Sequence, residues 1–522
     1  MWVIFLVVLF YTGDATETWQ RNSHYNIRHG QLAHLRAAPA VKRNPHPIPR
    51  KAKPKAITTT IKATTAITTK NLSITPKLNI TTVNIASSTS SVPNTTKVEK
   101  KPAYVLRQLE VAGETKETEV TKQYLETVCY DQAILMRVYL TGSEELKFIK
   151  TLQRSNDIQL WGSGAYFMDF LVHRAKKDVV EEKLKDRKEN YTCLLTSMDL
   201  LLKSQRFERS EPAHKAILAK FDFKLYVSLE TINALFQLIK KKYPNETEIM
   251  SIGQSHEKRE IMGLRVNKRK SNKAIILIGG IHGRDWASIT SVLSVLGFLI
   301  KEDNEQKVQF FDGLDWYFIP VLNPDGYQHT RYYDRFWSKN RRKFDSCYGV
   351  DLNSNFGKHW DSNILMKHTE NVCSDDYAGA SAFSEPETSA LRGFVEDLLK
   401  KQKVVGFIDV HSYGQSITYP WGGITQSTPD WFEHTTYARG MRQNIFSQTM
   451  ARFTYAPSYD VPHPRPGLSI DWAYSIGIKH SYIIETRDTN QYGYLLPNNL
   501  IEPAGQDLVQ AMKSLARRLS KD

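Results

Sequence analysis

The chain has 522 residues, of which 41% are hydrophobic, enough apolar material for two or three domains with a sizeable core. The net charge is +15, but residues 21–101 carry fifteen Lys/Arg against the single acid Glu99, so they contribute 15 − 1 = +14 and the rest about +1. The basic character belongs to a tail, not to the folded part, which excludes a globally basic nucleic-acid-binding domain.

In chain order, WVIFLVVLFYT (2–12) is one apolar run, too short to span a bilayer, and it reads as the h-region of a signal peptide covering 1–15. The expected location is therefore secreted and extracellular. No later stretch of 18 apolar residues occurs, so no membrane span is expected.

Residues 16–105 form a basic Thr/Lys/Pro-rich stalk with N-glycosylation sequons at Asn71, Asn79 and Asn94. This composition cannot bury enough apolar surface to offset its ordering entropy, so disorder is expected. Acidic glycans are its candidate partner, and an inert spacer is the simpler alternative. No aromatics interleave the basic residues of 37–101, so no nucleic-acid partner is expected.

Residues 120–205 read as a small α+β domain. AILMRVYL and YFMDFLVH look like strands, and SEELKFIKTLQR is a helix with Leu146, Ile149 and Leu152 on one face. KKDVVEEKLKDRK is a charged helix, and YTCLLTSMDLLL a last strand or strand–helix. Residues 206–218 are an exposed linker with Arg206 and Arg209 as trypsin-type cleavage positions.

From 219 to 522 the text is α/β, with strand-like AIILIGGI, DWYFIPVL, VVGFIDVHSY and HSYIIET. In SEPETSALRGFVEDLLKK, Ser384 and Glu387 suggest a capping box, with Leu391, Phe394, Val395, Leu398 and Leu399 as its core stripe. Four cysteines fit a secreted protein with one or two disulfides. Cys347 and Cys373 are the favoured pair; Cys129–Cys193 stays open, because connectivity cannot be read from sequence.

The chemistry starts at GGIHGRDW, where an apolar strand ends in Gly-Gly and His282, Arg284 and Asp285 follow at once. His411 closes another apolar strand. Two His and one carboxylate at strand ends leave a fourth position open, the arrangement of a catalytic zinc. Glu485, closing the strand YIIE, is a candidate general base, although an ion pair with Arg487 would explain it as well. Asp351 is a candidate acceptor that orients a ligand His.

Residues 222–518 resemble the pancreatic-type zinc carboxypeptidases through GIHGRDW, VLNPDGY, CYGVDLNSNF, VHSYGQ, GLSIDWAY and ETRDTNQYGYLLP, in that order. The resemblance implies a mixed eight-stranded sheet flanked by helices, with 120–205 as a ferredoxin-like activation propeptide. It implies one zinc held by His282, Asp285 and His411, with Glu485 as catalytic base. It places Arg284, Asn353, Tyr413 and Ile470 in substrate binding and implies the disulfide Cys347–Cys373. Peptide or protein C-termini become the implied partners of a monomer.

The departures are informative. Asp285 stands where the family has Glu, a side chain shorter by one methylene, about 1.5 Å. Ser354 replaces the arginine that grips the substrate carboxylate, and Ser338 the arginine that stabilises the oxyanion. An ungapped count puts His463 where the family has its mobile Tyr. Lys339, Arg341 and Arg465 are the nearby cations, and none is a convincing substitute in sequence. Three readings follow: a zinc-binding homologue with impaired or altered peptidase activity (a pseudoenzyme), an active zymogen that removes C-terminal apolar residues, or a matrix glycoprotein acting through its tail.

Overall fold

The computed structural model describes residues 130, 133–140, 142–155, 157–164, 167–196, 198, 201–202, 205, 223–267, 271–300, 313–362, 371–460, 465–489 and 491–521. The signal run, the stalk with its sequons, Cys129, the linker 206–218 and His463 lie outside the described residues.

The first described domain runs β1 (Ile134–Tyr139), α1 (Ser143–Arg154), β2 (Gln159–Gly164), β3 (Phe167–Val172), α2 (Lys177–Asp186) and β4 (Tyr191–Leu195). This βαββαβ order builds a four-stranded sheet, β2-β3-β1-β4, with every pair antiparallel. Alternate residues of β1 and β3 face the helices, so Met136, Val138, Met168 and Phe170 meet Ile149, Leu152, Val180 and Leu184 in one buried cluster. On β1 and β3, Arg137 sits opposite Asp169 and grips it through two bonds of 2.7 and 2.8 Å. The strand β2, QLWGSG, lacks an alternating apolar pattern, so sequence periodicity alone does not reveal it.

The second domain contains α3 (Leu229–Lys242), β5 (Thr247–Gln254), β6 (Glu260–Val266), β7 (Lys273–Ile278), α4 (Trp286–Ile300), β8 (Asp315–Ile319) and α5 (Pro324–Tyr332). It continues with α6 (Pro386–Lys401), β9 (Lys403–His411), β10 (Ser416–Tyr419), α7 (Trp431–Thr449), β11 (Thr454–Pro457), α8 (Ser469–Ser475), β12 (His480–Glu485) and α9 (Ile501–Leu519). One mixed eight-stranded sheet, β11-β10-β12-β9-β7-β8-β6-β5, runs through it. Its central strands β12, β9, β7 and β8 are parallel.

Strand β7 shows why this sheet has two covered faces. Ile275 and Leu277 point into the core shared with α3, α4 and α9, and Ala274, Ile276 and Ile278 into the core shared with α6 and α8. A strand buried on both faces reads as the continuous apolar run AIILI. Helix α4, buried nearly all round, follows the same logic.

The motif VLNPDGY is mostly architecture. Asn323 caps α5 by accepting from Gly326 N at 2.8 Å, with Pro324 in the first turn. Its Nδ2 donates to Ile281 O and Lys339 O, both at 3.1 Å, which ties the His282 loop to the Ser338 loop.

One expectation is corrected. Ser384 and Glu387 make no capping box, since Glu385 is the residue before α6 and no side chain caps it. Glu387 instead accepts from His256 N at 2.9 Å and Asn340 Nδ2 at 3.1 Å, and is wholly buried. The core stripe of that helix does form. Cys193, whose partner the sequence left open, is an exposed free thiol. The Cys347–Cys373 disulfide forms, with Cα atoms 5.4 Å apart.

Candidate metal centre and substrate cavity

Three neighbouring parallel strands deliver the site. Beyond β7 come His282 and Asp285, β9 ends at His411, and β12 ends at Glu485. In register Glu485 lies beside His411 on one side and Ser416 on the other. The carboxyl ends of parallel strands thus gather the chemistry at one edge of the sheet.

His282 Nδ1 and His411 Nδ1 each stand 3.5 Å from Asp285 Oδ2. The three donor atoms lie within 4.8 Å of one another. These separations are long for hydrogen bonds. They match the edge of a tetrahedron whose bonds to zinc are about 2.1 Å, an edge of about 3.4 Å. Asp285 Oδ2 also accepts from Ser412 N at 3.1 Å, and Oδ1 is buried with no hydrogen-bond partner. An orphaned carboxylate oxygen at a His-His-Asp cluster fits a cation there. Asp285, one methylene shorter than a glutamate, still stands 3.5 Å from both imidazoles.

Each imidazole is held from behind. His282 Nε2 lies 2.9 Å from Asp351 Oδ1 and His411 Nε2 3.1 Å from Asp409 Oδ2, which leaves both Nδ1 atoms facing inward. Burial alone would lower His411, but Asp409 and Asp285 raise it to about 10 in the metal-free site. Burial pushes Asp285 and Asp351 up, yet the facing histidines hold both well below the usual carboxylate range. Asp409 escaped sequence reasoning, although its place two residues before a strand-end His was a usable signal.

Glu485 Oε2 accepts from Ser416 Oγ at 2.8 Å. Burial raises its pKa, partly offset by Ser416 and His411. Arg487 is committed elsewhere, donating to Asp507 at 2.6 and 3.1 Å, so the structural ion pair with Glu485 does not form. Gly414 is required here, because a Cβ on it would come 2.1 Å from Glu485 Oε2.

These groups line a cavity of about 370 Å³ that includes His282, Arg284, Asn353, His411, Tyr413, Arg465 and Glu485. Arg284 lies over the Tyr494 ring, 4.2 Å from its centroid. Asn353 Oδ1 accepts from Ser469 N, and Nδ2 lies 3.1 Å from His411 Nε2. Ile470, expected at the base of the side-chain pocket, is wholly buried beside Phe356 and Trp472 and is not among the lining residues. Asp471 likewise serves the backbone, accepting from Gly422 N and Gly423 N.

The first domain forms part of this wall through Leu160, Trp161, Gly162 and Phe167. Tyr413 donates its hydroxyl to Trp161 O at 2.9 Å. Trp161 packs edge-on against Phe336 and Tyr494. Trp161 also escaped sequence reasoning, since the periodicity of its own strand is weak.

The divergent serines are not among the described residues that line this cavity. Ser354 is 2% exposed and donates to Asp351 Oδ2 at 2.9 Å. Ser338 lines a second cavity of about 270 Å³, with Tyr130, Asp334, Lys339 and Asp375. Lys339 is buried, its Nζ donating to Ser374 O at 2.9 Å. Arg341 stacks on the rings of Trp337 and Tyr348 at 4.5 and 4.4 Å.

A strand-end His-Asp-His cluster with a neighbouring Glu on a mixed eight-stranded sheet defines a metallopeptidase-type site. The zinc carboxypeptidase family profile matches residues 232–511. Human mast cell carboxypeptidase A is 29% identical over 406 residues, covering 76% of this chain and 95% of that protein. The inactive metallocarboxypeptidase ecm14 of Schizosaccharomyces pombe is 30% identical over 420 residues, covering 72% and 82%. The crystal structure of thrombin activatable fibrinolysis inhibitor superposes with a TM-score of 0.67 at 27% identity, covering 75% of this chain and 100% of that one. The chain belongs to the zinc carboxypeptidase family and has its fold.

Proposed function

We propose that this protein is a secreted carboxypeptidase homologue that binds one zinc and engages peptide C-termini but turns substrate over slowly. The observation that carries the reading is the contrast between the donor triangle and two serines, Ser338 and Ser354, that bring no charge to the cavity beside it. His282, Asp285 and His411 would hold the metal, and Asp351 and Asp409 would orient the two imidazoles. Bound zinc supplies a Lewis acid and makes water acidic enough to be activated near neutral pH. Glu485 would accept a proton at its carboxylate and return it to the leaving amine. Arg284, Asn353 and Tyr413 would contact the ligand. Loss of one oxyanion donor costs about two to three powers of ten in rate. The similarity to a relative named inactive supports the same reading. Secretion rests on the apolar run at 2–12; no helix among the described residues is long and apolar enough to cross a membrane.

A second reading, an active zymogen releasing C-terminal apolar residues, is favoured by Glu485, which keeps its place beside His411. Metal content of the dialysed full chain, with release of C-terminal residues after trypsin treatment, separates the readings. One zinc per chain is expected, with turnover about 10²–10³-fold below that of an active relative. Ordinary turnover that disappears in Glu485→Gln establishes the zymogen instead. A metal-free chain removes both.

A further inference from the structure

We infer that Arg465 supplies, from a different loop, the cation that anchors a ligand's carboxylate in this cavity. The inference rests on the zinc-binding reading above but needs no catalysis. Ser354 stands where the family resemblance implies a carboxylate-gripping arginine, and its hydroxyl is bound to Asp351. Arg465 Nη1 stands 3.6 Å from Asp351 Oδ2, the oxygen that accepts from Ser354 Oγ.

The backbone makes this placement firm. Gly467 has φ +72°, and a Cβ there would come 2.3 Å from Ser354 O. Phe356 N donates to Gly467 O at 3.0 Å. The 465–467 segment therefore lies directly on the 353–356 turn, which only a glycine permits.

Arg465 meets Asp351 as an ion pair and not through a hydrogen bond. A separation of 3.6 Å exceeds a hydrogen bond. Asp351 is also served by His282 Nε2, Ser354 Oγ and Asn353 N. The Arg465 side chain is 33% exposed and lines the cavity with Asn353, His282 and Glu485. A guanidinium carries five N–H donors in a fork that matches a carboxylate. The other arginine among the described lining residues, Arg284, lies across Tyr494. Charge for ligand binding is thus present, whereas Lys339 and Arg341, beside Ser338, are committed to Ser374 and to two aromatic rings. The cavity is built to hold a carboxylate.

The test compares N-acetylphenylalanine with N-acetylphenylalaninamide by calorimetric titration, on the full chain before and after trypsin treatment. Zinc content is measured on every sample. Wild type is expected to favour the acid about 10- to 100-fold. Arg465→Gln should bring that ratio close to one with zinc retained, and Arg465→Lys should keep part of it, having charge without the fork. A ratio that survives in zinc-loaded Arg465→Gln overturns the inference, as does a wild type with no preference for the acid in either form. A zinc-free wild type sinks the zinc reading, and the acid-to-amide ratio then still decides Arg465.

Discussion

At the scale of single residues, two serines that look equivalent in sequence are not equivalent in space. Ser354 is buried with its hydroxyl on Asp351, so an arginine there has to displace packed neighbours. Ser354→Arg is expected to destabilise the chain by about 1–3 kcal/mol through overpacking, read as a lowered denaturant midpoint. Ser338 borders a cavity of about 270 Å³ that can take a longer side chain. Ser338→Arg should leave stability nearly unchanged and raise turnover about 10²-fold or more. No gain in a folded, zinc-loaded Ser338→Arg protein would show that oxyanion charge is not what limits the reaction.

Elements carry two further predictions. Glu387, at the start of α6, is wholly buried, and burial raises its carboxyl from 4.5 to about 7 despite the bonds from His256 N and Asn340. The folded state therefore holds this proton more tightly than the unfolded chain. The stability it contributes is complete below about pH 4.5, declines as pH rises towards 7, and is level above, a change of up to about 3 kcal/mol. Denaturant melts at pH 5 and 7.5 should show this slope in wild type and a shallower one in Glu387→Gln. The Cys347–Cys373 bond closes a loop with a sequence separation of 26. Loop entropy gives it about 3.5 kcal/mol, which Cys347→Ser with Cys373→Ser should remove in a non-reducing melt.

Element type was legible where both faces of a strand are buried, because AIILI and VVGFIDVH admit few alternatives. The grouping of His282, Asp285 and His411 was legible for a related reason, since the apolar runs of β7 and β9 stop just before or at these residues. Strand β2 was not legible, because glycines and Trp161 in QLWGSG have no period. Arg465 stood out little in sequence because Asp351, which it faces, lies 465 − 351 = 114 residues earlier, and only the fold brings the two loops together.

Across the whole described molecule, the small domain and the sheet share one buried cluster, which includes Tyr130, Trp161, Leu171, Phe336, Tyr413 and Leu495. Polar ties reinforce it: Tyr130 Oη donates to Asp334 at 2.7 Å, and Arg335 reaches Gln205, the Arg284 carbonyl and the Tyr494 carbonyl. Trp161 is the centre of this contact, and truncating a buried Trp costs about 3–5 kcal/mol. Trp161→Ala should therefore let a chelator strip zinc at least ~10-fold faster from the uncleaved chain. An unchanged stripping rate would mean that the small domain does not control access to the cavity.

The register that seats Glu485 between His411 and Ser416 has a consequence for how such a site can change over time. His411 and Glu485 are fixed at the ends of hydrogen-bonded strands, whereas Arg465 lies in a loop. The two sets can drift separately. A lineage can move an arginine from one turn to another, or drop one, without disturbing a single ladder bond. The sheet acts as a chassis and the turns as exchangeable fittings, so catalysis can fade while recognition persists.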